Sequence, residues 1–483
     1  MLIINKTSPE KMKIFFVIPP AKGILEKPTT PHMGIAVLAS VTRQSGHEVG
    51  VIDMRLGYGM DVLLSRLEKF KPDYVCVTSV AMEHHFVYDM ISKLKENGYK
   101  IIIGGPHVSS IKKRVLLECK ADFAVKGEGE EPIIKILSEE PLSGINGVIW
   151  RDGNNVVENP DNPYIGAKTL DEMPIPAFEL FELDKYMDKK LPIITSRGCP
   201  YKCTFCSINL TMGFGFRPRS AESVVNELEH WYKMGYSYFG FNDDNFTLIP
   251  SRAEKICDLI VEKGLKIEWE LRNGIRIDKV TEPLLRKMKD AGCIYVGYGV
   301  ESVHQDVLDN IKKELKVEKI KDAILLTDKV GIKKGGFFII GLPGDTLEKF
   351  KKTMEFALSL PLDEVRFYNA IPYPGTELYS WVEKNARWVI KPEVYLNEVT
   401  SFDDRPVYET DDFSLNDRLE ATMLGQQFVM KYLMKTEFGN ILGTMAWYLW
   451  RPKITRKYVF NAGRKVWTYY RRIKTRLPKT AVA

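Results

Sequence analysis

Three cysteines lie within eight residues of one another, in a segment at 196–207 that reads SRGCPYKCTFCS. Cys199, Cys203 and Cys206 have a C-x3-C-x2-C spacing, which brings three soft thiolate ligands to one point of the chain. A structural zinc ion would need a fourth Cys or His nearby, and the other four cysteines lie far away in the sequence. An iron-sulfur cluster fits better, because three thiolates leave one of four irons open to another ligand. The alternative is three cysteines that only pack in a core.

Six strand-helix units must position this loop. It follows a predicted strand at 192–195 and precedes a predicted helix at 221–234. Six such units imply a partial TIM-like barrel, (β/α)6, with its chemistry at the carboxyl ends of the strands. The five further strands are predicted at 238–242, 267–272, 295–300, 336–340 and 364–369.

The cysteine spacing resembles the radical S-adenosylmethionine (radical SAM) superfamily. The aromatic Phe205 before the last cysteine also matches that family. The resemblance implies a 4Fe-4S cluster held by the three cysteines, whose open iron binds the amino and carboxylate groups of S-adenosylmethionine (SAM). It also implies that SAM is cleaved reductively at this cluster.

Polar residues follow the second and third predicted strands of this barrel. Asp243 and Asp244 resemble the acidic variant of the motif that binds the SAM ammonium, through a charge-assisted hydrogen bond. The sequence does not decide between the two, and a loop with a helix cap is the alternative. Arg272, Asn273 and Arg276 suit the SAM carboxylate, an anionic substrate or structural salt bridges.

The later strands carry three further matches. Glu301 and Ser302 match a Gly-x-Glu-Ser signature associated with the SAM ribose, whose hydroxyls need donors and acceptors, although Ser302 is also suited to capping a helix. Gly341 ends a strand that resembles the Gly-x-Ile-x-Gly element beside adenine. Tyr368, on the last strand, belongs to a pattern common in cobalamin radical SAM proteins.

Short apolar runs alternate with helical stretches over residues 12–152, which predicts a doubly wound, Rossmann-like parallel sheet. Strands are predicted at 13–18, 49–53, 74–77 and 100–104, and helices at 33–44, 60–70, 84–97 and 109–119. Ligands of such sheets bind beyond the carboxyl ends of the strands. A loop at 127–130, which reads GEGE, lies at such an end. A hairpin is predicted at 147–159.

This arrangement resembles the cobalamin-binding domain that precedes the radical SAM core in a large subfamily. Asp53 begins the matching loop, but Arg55 stands where the familiar motif has a cobalt-binding histidine, and a charged arginine cannot replace that ligand. Ser79, Gly104 and Gly105 match the later elements, where glycine lets the backbone approach a bulky ligand. The alternative is a flavodoxin-like domain that has lost its ligand.

Three histidines, His84, His85 and His107, are candidates for contact with cobalamin or substrate, or else are ordinary loop residues. A proline-rich linker is predicted at 153–190, the radical SAM core at 191–387, and a helical C-terminal extension at 388–483. Seven cysteines, of which three are clustered, and the lack of an apolar signal segment in the first residues indicate a cytoplasmic protein.

The charge of the chain is concentrated in its last part. The net charge is +6, yet residues 438–483 contain eleven Lys or Arg and no Asp or Glu. Aromatic residues interleave with these cations, which suits the surface of an anionic membrane. A helical cap on the barrel or another anionic partner are the alternatives. The apolar stretch at 438–450 is too short to span a bilayer.

The resemblance implies a cobalamin-dependent methyltransferase that acts on an unactivated carbon of a lipid, tetrapyrrole or other secondary metabolite. Two alternatives remain: a radical cyclase, coupling or rearrangement enzyme without methyl transfer, and a noncatalytic cobalamin and iron-sulfur sensor. The expected partners are a small-molecule substrate and an electron donor such as flavodoxin or ferredoxin, and nucleic acid is not expected.

Overall fold

The computed structural model describes residues 11–20, 28–398 and 405–450. Its first sheet has seven strands in the order β2-β1-β3-β4-β5-β6-β7, of which the first five are parallel and the last two form an antiparallel hairpin. This is the predicted doubly wound sheet with its hairpin. The strands are β1 (Lys13–Ile18), β2 (Glu48–Asp53), β3 (Tyr74–Thr78), β4 (Ile101–Gly104), β5 (Phe123–Val125), β6 (Val148–Asp152) and β7 (Asn155–Glu158).

Both faces of this sheet are buried. Alternate residues of β1 enter two different apolar clusters: Phe16 packs with the cluster of α1 and α6, and Phe15 packs with the cluster of α2 and α3. An all-apolar strand is what a sheet covered on both faces requires. The helices are α1 (Met33–Gln44), α2 (Met60–Phe70), α3 (His84–Glu96), α4 (Pro106–Ile111), α5 (Arg114–Glu118) and α6 (Glu130–Leu137).

Two details differ from the sequence expectation. The single helix predicted at 109–119 is two short helices, α4 and α5, because Lys112 between them has a left-handed φ of 54°. The stretch predicted as a linker contains the short helix α7 (Ala167–Glu172).

A second sheet of six parallel strands forms the predicted partial barrel, in the order β15-β14-β13-β12-β11-β8. A separate two-stranded pair, β9 with β10, lies at the loop that follows β8. The strands of this half are β8 (Lys190–Ile193), β9 (Ser196–Arg197), β10 (Arg217–Pro218), β11 (Tyr238–Phe241), β12 (Glu268–Ile275), β13 (Cys293–Glu301), β14 (Lys333–Ile340) and β15 (Glu364–Asn369).

Helices cover the outside of the barrel, and several begin at hydroxyl caps. Ser220 accepts a hydrogen bond from the Ser223 amide at the start of α9, and Thr346 does the same for Lys349 at the start of α14. The helices are α8 (Ile208–Met212), α9 (Ala221–Lys233), α10 (Pro250–Glu262), α11 (Glu282–Asp290), α12 (Gln305–Asn310), α13 (Glu318–Val330), α14 (Leu347–Leu358) and α15 (Glu377–Asn385).

The C-terminal extension packs on the barrel. It contains β16 (Arg387–Trp388), α16 (Pro392–Glu398), β17 (Tyr408–Glu409) and α17 (Leu415–Trp450), and α17 is broken at Gly439. Thr422 of α17 donates a hydrogen bond to the side chain of Asn369 at the end of β15. In the part of the chain that the structure describes, no helix has the length and apolar character needed to cross a membrane. Most of the basic stretch predicted at 438–483 lies outside the described residues.

Candidate active site

The loop after β8 carries the three cysteines and is held at several points. The Cys199 amide donates to the Gly213 carbonyl at 3.4 Å, and the Thr204 amide donates to the Ile311 carbonyl at 3.0 Å. Gly198 has a φ of +79°, and a Cβ there would lie 3.0 Å from the Met212 carbonyl oxygen, so only glycine fits this turn. The backbone of the loop is therefore fixed by contacts from the rest of the barrel.

The three thiols of this loop would hold the implied iron-sulfur cluster. All three are free and half-buried, and they lie near enough to influence one another's charge. Burial raises the pKa of Cys206 to about 11, and the other two thiols also have raised pKa values for the same reason. Across the described residues no group of His, Cys, Asp or Glu side chains is arranged to hold one metal ion. In a four-iron cluster each thiolate binds a different iron, so the thiols need not meet at one point.

Asp243 is buried and fully engaged with the loop. Its carboxylate accepts hydrogen bonds from the Thr195 amide at 2.5 Å, from the Thr195 hydroxyl, and from the Ser196 hydroxyl at 2.9 Å. Burial raises its pKa, and Arg252 opposes this effect. The geometry gives Asp243 a structural task, which is to join the second barrel strand to the start of the cysteine loop.

Asp244 is less committed. Its carboxylate lies close enough to Cys199 and Cys206 to raise the pKa values of both thiols. Burial, together with the neighbouring Asp243, raises the pKa of Asp244 to about 6. The side chain of Asn245 beside it is buried, and both amide atoms lack a hydrogen-bond partner among the described residues.

Glu301 and Lys313 form a buried ion pair beside the cysteines. Their side chains meet at 2.7 Å, and Lys313 lies 6.0 Å from the ring of Phe205. Burial alone would lower the pKa of Lys313, but Glu301 and Cys203 raise it overall. Glu301 also has a left-handed φ of 64°, an unusual conformation for this residue type and one found often at functional sites.

Ser302, which the sequence associates with the SAM ribose, is buried next to Glu301. Its hydroxyl accepts the His304 amide at 3.2 Å, just before α12, so it takes part in the turn into that helix.

The two arginines of the third barrel strand and its end, Arg272 and Arg276, are already occupied. Arg276 is buried, binds Asp278 at 2.9 Å, and donates to the carbonyls of Lys313 and Glu314 at 2.7 and 2.6 Å. Arg272 pairs instead with Glu270 at 2.9 Å and with Glu364 at 3.1 Å. Asn273 donates to the Asn242 carbonyl at 2.9 Å. These contacts favour the structural salt-bridge interpretation over direct binding of the SAM carboxylate.

Gly341 and Tyr368 lie on neighbouring strands, but in different surroundings. Gly341 has a φ of +83°, and the guanidinium group of Arg418 occupies the space where a Cβ would be. Its carbonyl accepts hydrogen bonds from Arg418 at 3.2 Å and from the Tyr408 hydroxyl. Tyr368 is partly buried and lies edge-on to Phe337, with ring centroids 6.3 Å apart. The C-terminal extension therefore stabilises the end of the fifth barrel strand.

At the carboxyl edge of the first sheet, Asp53 is the centre of a hydrogen-bond group. Its carboxylate accepts from the Arg55 guanidinium at 2.6 and 2.9 Å and from the Tyr186 hydroxyl at 2.7 Å. Arg55 also donates to the Thr30 carbonyl at 3.3 Å, and His32 lies close to its charge. The pairing with Asp53 therefore holds the Arg55 side chain at the carboxyl edge of the first sheet.

The neighbouring strand ends have features of a surface that a ligand completes. Ser79 is buried, and its hydroxyl has no partner among the described residues. Gly105 has a φ of +101°, and a Cβ there would lie 2.7 Å from the Ser79 carbonyl oxygen. Gly104 lies at the end of β4, and a Cβ added to it would lie 3.5 Å from the Val125 carbonyl oxygen. The orphaned hydroxyl fits a polar ligand such as cobalamin, whereas Gly105 is required because a side chain there would meet the Ser79 backbone.

The three histidine candidates form one cluster with Tyr88. The rings of His84 and His107 stack at 4.4 Å, those of His84 and His85 are also 4.4 Å apart, and the Tyr88 hydroxyl bonds to Nε2 of His107 at 2.8 Å. Burial lowers the pKa of His107 to about 3, and that of His84 is also lowered. Nδ1 of His107 is buried without a partner within the described part of the chain.

Two sets of residues were missed by sequence reasoning. Lys313 has no motif around it that would have revealed its contact with Glu301. Glu128 and Glu130, in the GEGE loop after β5, pair with Arg197 of the cysteine loop and thus join the two sheets. The loop was noticeable in the sequence as a strand end, but nothing in the sequence indicates its partner.

Two family descriptions match this chain. Residues 193–357 match the Radical SAM superfamily, and residues 27–137 match the B12 binding domain. The chain is 35% identical to an uncharacterized methyltransferase of Pyrococcus horikoshii, over 77% of this chain and 84% of the relative. It is 27% identical to cytidylyl-2-hydroxyethylphosphonate methyltransferase of Streptomyces wedmorensis, over 72% of this chain and 76% of that protein.

Solved structures share the fold. The radical S-adenosylmethionine methyltransferase TsrM of Kitasatospora setae, solved with cobalamin and a [4Fe-4S] cluster, superposes with a TM-score of 0.67 at 18% identity, covering 78% of this chain and 79% of that one. The cobalamin-dependent S-adenosylmethionine radical enzyme OxsB, with aqua-cobalamin and S-adenosylmethionine bound, gives a TM-score of 0.69 at 18% identity, covering 93% and 72%.

Proposed function

The chain belongs to the radical SAM superfamily, among its enzymes that carry a B12 binding domain, and on this premise we propose that it methylates an unactivated carbon of a small molecule. The observation that carries the proposal is the position of the cysteine loop against the carboxyl edge of the first sheet. Arg197 of that loop bonds to Glu128 and Glu130 just beyond β5, so the two candidate cofactor sites lie side by side.

A cluster with bound SAM would supply the one-electron chemistry, and cobalamin would supply the methyl group. The protein's share is to bind and orient these groups and to exclude water. Cys199, Cys203 and Cys206 are the proposed cluster ligands. The pattern of bonds favours Asp244 over Asp243 for the SAM ammonium, because Asp243 already accepts three hydrogen bonds from the loop.

Glu301 and Ser302 are proposed to bind the ribose, and Phe205, Gly341 and Tyr368 to contact SAM. For Glu301 the pairing with Lys313 has a consequence. A carboxylate held by a buried lysine keeps its direction, which it needs in order to accept hydrogen bonds from two sugar hydroxyls. The support for Gly341 is the weakest of these, because Arg418 fills its open side.

Cobalamin is proposed to lie on the edge formed by Asp53, Arg55, Ser79, Gly104 and Gly105. Arg55 cannot bind cobalt, so its task is different from that of the histidine it replaces. Its guanidinium is held by Asp53 and is part-exposed, with 24% of the side chain accessible. With its guanidinium held by Asp53, Arg55 would present a fixed hydrogen-bond donor to a polar group of bound cobalamin and would supply no ligand to cobalt.

The test is anaerobic reconstitution of the full chain with iron, sulfide and cobalamin, followed by reduction with SAM present. We expect about four irons for this cluster, 5′-deoxyadenosine as a product, and bound cobalamin. Failure of both cluster assembly and SAM cleavage would contradict the enzyme assignment. A candidate substrate that gains the mass of one CH2 unit supports methyl transfer, whereas a substrate altered without that gain supports a cyclase or rearrangement enzyme.

The substrate and the reductant are proposed by class. A lipid or tetrapyrrole substrate would follow from association with an anionic membrane, which we propose for the C-terminal extension. The described part of α17 supports this, because Ile441, Met445 and Tyr448 lie on one helical face and are all exposed. Co-sedimentation with anionic liposomes, compared with a chain ending at residue 437, tests the membrane proposal, and no binding by the full chain contradicts it.

The electron donor is proposed to be a flavodoxin or ferredoxin. The test is SAM cleavage supported by reduced flavodoxin or ferredoxin in place of a chemical reductant. The proposal would be contradicted if the chemical reductant dithionite supported SAM cleavage but neither reduced flavodoxin nor reduced ferredoxin did.

A further inference from the structure

Four buried charges connect the first sheet to the cysteine loop. Arg197 donates to Glu128 at 2.9 Å and to Glu130 at 2.7 Å, and Arg217 donates to the two carboxylate oxygens of Glu128 at 2.7 and 2.9 Å. The glutamate side chains are 2% and 6% exposed, and both arginine side chains are 11% exposed. Burial makes each charge dependent on its partners, since water does not reach it.

The pairs cross from one candidate cofactor site to the other. Glu128 and Glu130 directly follow β5, at the edge of the sheet where the B12 binding domain has its ligand surface. Arg197 lies two residues before Cys199, and it pairs with Arg217 through the β9–β10 ladder. The glutamates therefore hold the two strands from which the cysteine loop emerges and to which it returns.

The connection continues to the proposed SAM ligand. Ser196, next to Arg197, donates its hydroxyl to Asp243 at 2.9 Å, and Asp243 immediately precedes Asp244 in the chain. Arg217 is also fixed by the carbonyls of Ile165 and Met212, at 2.8 and 2.7 Å. A movement of the GEGE loop would thus reach Asp243, and with it the neighbouring Asp244, through Arg197, Ser196 and one hydrogen bond.

We propose that Glu128 and Glu130 are positioning residues that couple cobalamin binding in the first domain to SAM binding at the cysteine loop. This inference rests on the proposed function for the identity of the two cofactors. Occupation of the first site orders the GEGE loop, the loop fixes Arg197 and Arg217, and the arginines fix the backbone that presents Asp244. Because coupling between binding sites is reciprocal, SAM must strengthen cobalamin binding by the same factor.

The experiment measures SAM affinity of the reconstituted full chain with and without cobalamin, from the change in the electron paramagnetic resonance spectrum of the reduced cluster. In the wild type we expect cobalamin to strengthen SAM binding at least about fivefold, the lower end of ordinary coupling between sites. In Glu130→Gln cobalamin should no longer strengthen SAM binding, so the ratio of the two affinities should fall to about one. The iron content of this variant should equal that of the wild type. Absorbance titration of cobalamin with and without SAM must give the same factor.

A matched control lies one residue away. Among the described residues Glu131 pairs within α6, with Lys135 at 2.7 Å, so Glu131→Gln should keep the wild-type coupling. Arg197→Lys is a second variant for the case in which Glu130→Gln does not fold. It keeps the positive charge but cannot reach both carboxylates at once, so it should lose the coupling too.

Independent binding of the two cofactors to the wild type would overturn the inference, and so would coupling retained in Glu130→Gln or in the folded Arg197→Lys. Equal loss in Glu131→Gln would also overturn it, because the effect would then belong to α6 as a whole. None of these measurements needs methyl transfer. A wild type that couples the two cofactors but never methylates a substrate would remove the proposed function and leave the coupling in place.

Discussion

The carboxyl edges of the two sheets both contain buried, paired charges, and they differ in what those charges hold in place. At the barrel edge the pairs orient the cysteine loop, as Asp243 does with Thr195 and Ser196, and Glu301 pairs with Lys313 beside it. At the edge of the first sheet Asp53 pairs with Arg55 and Tyr186, and the neutral buried atoms at Ser79 and His107 have no partner among the described residues.

The difference indicates how each edge meets its ligand. The barrel edge is organised in advance, because the protein itself satisfies the charges that orient the cysteine loop. The first edge leaves neutral hydrogen-bonding atoms and glycine backbone for a ligand to complete, at a cost in stability for each orphaned atom. On the barrel side, Thr204, Asn245 and Thr247 also have buried side-chain atoms without a partner among the described residues, and Asn245 lies beside Asp244, the least committed carboxylate of that edge.

The largest effect should come from the loop itself. Replacing Cys203 with Ala removes one of three thiolates, so SAM cleavage should fall below detection, measured as 5′-deoxyadenosine by chromatography together with iron content. Cys76→Ala, in β3 of the first sheet, is the control and should retain cleavage. Equal activity of Cys203→Ala and wild type would remove this residue from the ligand set.

The two aspartates test whether the barrel edge is organised in advance. Asp244→Asn should weaken SAM binding about tenfold to a hundredfold, the value of one charge-assisted hydrogen bond, with little loss of stability. Asp243→Asn should instead lower the free energy of unfolding by about 1–3 kcal/mol, since it weakens the buried bonds to Thr195 and Ser196. Calorimetric titration with SAM and urea unfolding distinguish the two, and the opposite result would exchange their roles.

Acid should destabilise the first edge through His107. Burial lowers its pKa to about 3 in the folded chain, whereas an unfolded histidine has a pKa of about 6.5. As pH falls below about 6.5 the unfolded chain takes up the proton first, so this histidine costs the fold about 2 kcal/mol between pH 7 and pH 5. Urea unfolding at both pH values measures the loss. Between pH 7 and pH 5, His107→Gln should lose about 2 kcal/mol less free energy of unfolding than the wild type. If the variant and the wild type had the same pH dependence, the burial argument would be contradicted.

The smallest effect sharpens the comparison most directly. Ser79→Ala removes a buried hydroxyl that has no partner among the described residues, so without cobalamin the free energy of unfolding should rise by about 1 kcal/mol. If cobalamin completes this site, its affinity should fall about fivefold, the value of one hydrogen bond of about 1 kcal/mol. Absorbance titration measures the cobalamin affinity, and urea unfolding measures the free energy of unfolding. A destabilised variant with unchanged cobalamin affinity would show that Ser79 serves the fold alone.

Much of the fold could be predicted because its signals are local. The strand at 364–369 was predicted residue for residue, and all six barrel strands were found, since short apolar runs between helices have a recognisable period. The helix at 109–119 was predicted as one element because a left-handed turn at Lys112 has no strong signal in the sequence. The cysteine loop was equally local, with its three ligands within eight residues.

The sequence by itself therefore determined the two α/β units, the cysteine loop and the candidate cofactors, all of which depend on residues close together in the chain. Only the tertiary structure decided which aspartate is free for a ligand, that Arg276 serves the fold, and that Lys313 pairs with Glu301. It also decided that Glu130 pairs with Arg197, a contact between residues 67 positions apart. Such pairs form where strands from distant parts of the chain end at a common edge, and no spacing in the sequence encodes which side chains meet there.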